Sequence, residues 1–197
     1  MNKRISNTSI LMLSALAIAL NIVLGIITSS LKLPLYLDTI GTIFIAIYFG
    51  PWYGAAVGGL SNFLASILTN PQGIPFMIVS IVIGLVVDFV FRKIKFTFIS
   101  SLIIGLILSV LAPLIGTPIG IYVYGGLTGT ISDIAVMWIK QSGASIFTAS
   151  FIPKVFNNLI DKVGTCIILY FVISALPATF KPQNFTELNV TKFVESK

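Results

Sequence analysis

Histidine is absent from this 197-residue chain, cysteine occurs once, and Asp, Glu, Lys and Arg together make up only 9% of it. Without histidine there is no imidazole acid–base chemistry, no HExxH zinc site and no imidazole metal ligand. The single cysteine, Cys166, lies inside an apolar run, which excludes a disulfide framework and a cysteine metal cluster and reads as a buried, inert thiol. Charge is scarcest from Thr39 to Val87, where no Asp, Glu, Lys or Arg occurs. That stretch is far too long for one membrane helix, which needs about 20 residues to cross ~30 Å of hydrocarbon.

What is present is apolar: 56% of the residues are hydrophobic, against a soluble norm in which about 25% are charged. Gly50-Pro51 and Asn70-Pro71-Gln72-Gly73 punctuate the uncharged stretch, so it reads as several crossings folded back on themselves. The expected fold class is all-α: a polytopic membrane protein with six transmembrane helices, over about 10–28, 36–49, 52–68, 74–91, 98–114 (extending towards Tyr124) and 156–176. Met1-Asn2-Lys3-Arg4 before an apolar run imitates a secretory signal. The run is longer than an h-region of about 7–15 residues and reads as a retained first helix. One membrane domain over 1–178 and a short polar cytoplasmic tail over 179–197 follow.

The net charge of +6 does not point to nucleic acid, because the basic residues fall between or beyond the spans rather than on one face. They set orientation instead. With the N-terminus inside, Lys3, Arg4, Arg92, Lys93, Lys95, Lys181, Lys192 and Lys197 are inner, and Lys32, Lys140, Lys154 and Lys162 outer. The positive-inside rule then places both termini in the cytoplasm, in the plasma membrane.

Gly50, Gly54 and Gly58 recur at four-residue spacing, which lets helix backbones approach closely in lipid, either within the chain or against a partner subunit. Residues 112–153 hold Pro113, Pro118, Pro153 and many glycines, too apolar for a solvated linker. They read as a long outer loop folded back over the helix ends around a short helix near Asp133–Lys140, a candidate lid.

Polar groups at membrane depth are functional by default unless an interface or a partner accounts for them. Asp88 and Arg92, four apart, account for each other as an ion pair. Asp38 suits two roles, cap of the second helix or wall of an outer pocket. Asp133 and Lys140 either pair with each other or line the site under the lid. Lys154, Asn157, Asn158, Asp161 and Lys162 put five polar residues at the entry to the last span, more than a helix start needs. Tyr36, Tyr122, Tyr124 and Trp138 either form an interfacial belt or stack on a flat ligand; Asn62 is either interhelical glue or the pocket floor. Together these describe an outward pocket with mixed polar and aromatic walls, suited to a small, planar, mostly neutral organic molecule.

The chain resembles the substrate-binding S component of energy-coupling factor (ECF) vitamin transporters. Ala15-Leu16-Ala17-Ile18-Ala19 is similar to the AxxxA pattern with which S components pack on the transmembrane T subunit. Gly50-Pro51-Trp52-Tyr53-Gly54 is similar to the GPxxG-type turn, and Leu33-Pro34-Leu35-Tyr36-Leu37-Asp38 falls where the family has its ligand-gating loop. The resemblance covers about residues 8–178. It implies a T subunit and two cytoplasmic ATPases as partners, since the chain has no P-loop, and capture of a vitamin-like heterocycle outside for delivery inward. It implies no cofactor and, without an N-terminal histidine site, no metal cargo. A self-sufficient ion-coupled carrier is the other reading; its usual mid-membrane acid is missing, since the acids lie near helix ends. Enzyme activity is not expected, as neither GxSxG with histidine nor clustered aspartates occur.

Overall fold

The computed structural model describes residues 6–177 and 180–182. Lys3, Arg4 and nearly all of the expected tail lie outside them. Among the described residues the chain is helical: α1 (Asn7–Ser30), α2 (Ile40–Phe49), α3 (Pro51–Thr69), a 3-10 turn (Pro71–Phe76), α4 (Met77–Phe91), α5 (Phe98–Tyr124), α6 (Asp133–Gln141) and α7 (Ile146–Ala175). Four helical stretches are long and apolar enough to cross a membrane: Asn7–Ser30, Pro71–Phe91, Phe98–Tyr124 and Ile146–Ala175. The 10-residue α2 rises only about 15 Å, half the hydrocarbon thickness.

Two boundaries differ from the sequence expectation. Pro113 and Pro118 do not end α5, which runs on to Gly125, whose left-handed φ of 66° closes it with N–H bonds back to Gly120 and Ile121. In an apolar, packed setting the carbonyls freed by proline are tolerated, so proline is a weaker stop than in water. The last helix starts at Ile146, with Ser145 accepting from the Thr148 N–H as its cap. Its polar cluster faces inward mid-helix instead of marking an interface. The long outer loop of 112–153 therefore shrinks to 125–145, with α6 lying against α7 through the buried Val136.

Small residues let the helices meet at backbone distance. A Cβ at Gly58 would stand 2.4 Å from the Ser80 carbonyl oxygen, and one at Gly84 2.4 Å from the Gly54 carbonyl carbon, which binds α3 to α4. A Cβ at Gly105 would stand 2.7 Å from Val163 Cα, joining α5 to α7. Of the two roles open to Gly54 and Gly58, packing within the chain is the one they take, and not the partner surface: a Cβ at Gly54 would meet Ala46 Cβ at 2.6 Å. Gly50 is required by its φ of 97° at the α2–α3 turn, close to the Asp88–Arg92 ion pair. Ala15 and Ala19, by contrast, are exposed on α1 among Leu11, Met12, Leu16 and Leu20.

The helices form two groups, α1–α4 and α5–α7. At the end carrying Arg92–Lys95 the seam between them is filled by Ile43, Ile83, Val87, Phe91, Phe96, Ile104, Leu108, Cys166, Leu169, Tyr170 and Ile173. At the other end the same seam opens. Within α1–α4, the buried Asn21 joins three helices: its amide donates to Thr42 Oγ1 (3.0 Å) and Ser61 Oγ (3.1 Å), and its oxygen accepts from the Gly41 N–H (2.8 Å). Every polar atom is satisfied, which makes a polar residue affordable in an apolar span.

Gly58→Ala and Gly84→Ala are expected to lower the thermal unfolding midpoint in detergent by the overpacking cost, about 1–3 kcal/mol each. Gly164→Ala, with nothing within 4 Å of its added Cβ, is the control and is expected to be neutral or stabilising by up to roughly 1 kcal/mol.

Candidate functional site

The open end of the seam is closed over by residues 31–39, a connection that the sequence makes stiff and bent: Pro34 sits between Lys32 (φ 51°) and Leu37 (φ 50°), both in the left-handed region. A non-glycine residue there costs on the order of 1–3 kcal/mol and needs something to hold it. Lys32 is held by the end of α1, where its N–H donates to the Ser29 carbonyl and the Leu33 N–H to the Thr28 carbonyl (2.9 Å); at Leu37 it is Asp161 of α7 that does so. One carboxylate oxygen accepts from the Tyr36 N–H (3.2 Å) and the Leu37 N–H (2.7 Å). The other lies 2.6 Å from Lys162 Nζ. Lys162, only 2% exposed, also donates to Thr39 Oγ1 (2.8 Å) and reaches Asp38 Oδ1 (3.3 Å). From the opposite side Thr28 Oγ1 donates to the Tyr36 carbonyl at 2.7 Å. The half-buried Tyr36 phenol is raised above its ordinary value, chiefly by burial, with Asp38 and Asp161 adding and Asn157 and Lys162 opposing. It stays protonated at physiological pH.

Beneath this connection lie two adjoining hollows that share Ser29, Asp38, Asn62 and Ser66. The smaller, about 190 Å³, runs between α1 and α3 past Asn21, Gly25, Ser61 and Thr69. The larger, about 350 Å³, is walled by Tyr36, Thr39, Phe76, Val79, Ile83, Pro113, Gly116, Tyr124, Lys154, Asn158 and Lys162. Its size falls at the lower end of the usual ligand range of about 300–1,000 Å³. Phe76 and Tyr124 stack with centroids 6.2 Å apart and planes at 27°, an aromatic wall. Two buried polar atoms in the lining, Asn62 Oδ1 and Lys154 Nζ, have no hydrogen-bond partner among the described residues.

Of the residues singled out from the sequence, Tyr36, Asp38, Asn62, Tyr124 and Asn158 line the hollows. Asp161 stands behind the wall as the anchor just described, and Asn157 donates to Ser132 Oγ beside it. Asp133 does not pair with Lys140; its oxygens accept from the Thr128 (3.1 Å) and Gly129 (2.7 Å) N–H groups and shape the turn after α5. Tyr122, Trp138 and Lys140 do not line the hollows. Tyr122 is 93% exposed because residues two apart on a helix point to opposite sides, so it cannot join Tyr124. Trp138 and Lys140 are both exposed on α6.

The sequence reading passed over Asn21, although an amide in the middle of the first apolar span is itself a signal. Lys154 and Lys162 it counted only within the polar cluster at the entry to the last span, without naming them as wall residues. Phe76 and Ser66 carry no signal of their own, since only the fold brings them to the hollow.

A family model of the ECF transporter substrate-specific component matches residues 10–174. No curated protein and no solved structure matches the chain.

Lys162→Met strips Asp161 and Asp38 of their counter-charge, and is expected to cost about 3–5 kcal/mol of stability, the range for breaking a buried pair. The double variant Lys162→Met/Asp161→Asn should recover part of the loss. Unfolding midpoints in detergent for the wild type and both variants check this; equal midpoints would leave the cluster without a structural role.

Proposed function

Since the chain belongs to the family of substrate-specific components of ECF transporters, and so to the membrane-embedded transporter subunits, we propose that it is the high-affinity binding subunit of an ECF-type importer. It takes a small vitamin-like heterocycle into the hollow from outside and delivers it inward with a T subunit and two cytoplasmic ATPases. The observation that carries this reading is the hollow itself, which pairs a stacked Phe76–Tyr124 wall with the unpartnered polar atoms of Asn62 and Lys154.

The exposed Arg92, Lys93 and Lys95 lie at the opposite end from the hollow, which the positive-inside rule would set in the cytoplasm, with the hollow outside and both termini in. Six crossings within one domain over residues 1–178 follow if α2 and α3 each count as one. The 31–39 connection then acts as the gate: it closes the hollow from above and is held by side chains of α7. The exposed Ala15–Ala19 face of α1 is the surface for the T subunit, on the far side of α1 from Asn21 and the hollow.

Purification in mild detergent, denaturing extraction and mass spectrometry should yield a stoichiometric small molecule. An empty preparation with no thermal shift across a vitamin panel would rule the reading out. Ala15→Trp with Ala19→Trp is expected to abolish ATPase-dependent uptake while leaving ligand binding unchanged; loss of both together would refute the separation of docking face from pocket.

A further inference from the structure

We infer that the ligand carries a single anionic group, a carboxylate or one phosphate monoester, and that Lys154 Nζ receives it. This rests on the binding-subunit reading above and narrows its substrate class, away from the neutral molecule that the scarcity of charge suggested.

Lys154 follows Pro153 in α7, lines the larger hollow and is 9% exposed. An ammonium has three donors and no acceptor, so burial without a hydrogen-bond partner leaves all three donors unmet, while the charge of Asp133 acts on it only through space. Among the described residues Nζ has neither a hydrogen bond nor an ion pair. The acids nearby are already engaged. Asp161 holds Lys162 and two backbone N–H groups, Asp38 faces Lys162, and Asp133 holds the N–H groups of Thr128 and Gly129. Lys162, the other cation in the lining, is saturated by Asp161, Asp38 and Thr39. Lys154 is therefore the one lining cation left to meet an incoming charge, which fits one anionic group and not a polyphosphate.

The surroundings aim that charge. Around the position a Cβ would take on Gly120, Lys154 Nζ lies at 2.7 Å and Phe76 Cζ at 3.6 Å, so the ammonium sits beside the aromatic wall. An anion on Lys154 places the body of its molecule against Phe76 and Tyr124, within the hollow that Asn62 also lines. A neutral isostere leaves the ammonium unpaired, which is how a buried polar site rejects an analogue that lacks the matching group.

The experiment compares wild type, Lys154→Met and Lys154→Arg, each purified from the expressing membrane, with bound molecules extracted and identified by mass spectrometry. The wild type should yield one near-stoichiometric compound that is anionic at neutral pH, and its composition separates carboxylate from phosphate. Lys154→Met should weaken the Kd for that compound, titrated into emptied protein, at least about tenfold, the equivalent of one hydrogen bond to a charged group, and lower its occupancy on purification, and Lys154→Arg should retain more of it. Unfolding midpoints of the variants, expected at or above wild type for Lys154→Met, show that occupancy and not folding has changed. A stoichiometric compound without an acidic group, or an acid held equally by Lys154→Met, overturns this inference and leaves the binding-subunit reading intact. An empty wild-type preparation that also shows no thermal shift across a vitamin panel overturns both.

Discussion

The contact on which the site depends is the one between Asp161 and the 31–39 backbone. A carboxylate that accepts two N–H groups and faces an ammonium is held by charge-assisted bonds, about twice as strong as neutral ones. Those bonds fix Leu37 in left-handed backbone and set Asp38 and Tyr36 into the wall of the hollow. Lys162 makes this possible. Without it, Asp161 would be a buried anion in an apolar helix; with it, the two charges stabilise each other and tie the α1–α2 connection to α7.

The rest of the molecule supplies a frame rigid enough for that tie to matter. Inside a bilayer no hydrophobic drive presses helices together, so close packing and satisfied polar contacts take over. Gly58 and Gly84 bring α3 and α4 into backbone contact, Gly105 does so for α5 and α7, and Asn21 locks α1 to α2 and α3. The lipid-facing surface is left apolar, with Trp52 and Leu16 largely exposed.

Much of this was legible in the sequence, for a physical reason: the cost of polar groups in hydrocarbon makes every departure from apolarity conspicuous. The helical class, the turn at Gly50-Pro51, the Asp88–Arg92 pair and a place beside a hollow for Asp38 and Asn62 were all read from the sequence. The misplacements share a cause as well. Proline and glycine at 112–125 signal a break in water, yet α5 passes straight through Pro113 and Pro118. Polar residues at 154–162 were rightly too many for a helix start, but the helix begins earlier, at Ile146, so they lie within it and face one another and the seam. Tyr122 and Tyr124 are neighbours in the chain and strangers on the helix. Glycine spacing alone does not say whose backbone will fill the gap, and at Gly54 and Gly58 the chain fills its own.

The seam is packed at one end and hollow at the other, and this divides the labour of sequence change. Substitutions at Val87, Leu108 or Leu169 disturb the shared core, whereas those at Ser66, Phe76 or Thr128 alter only the shape of the cup. Such a scaffold can exchange cargo over evolutionary time without relearning how to fold. Its history would be written in the rim and not in the root.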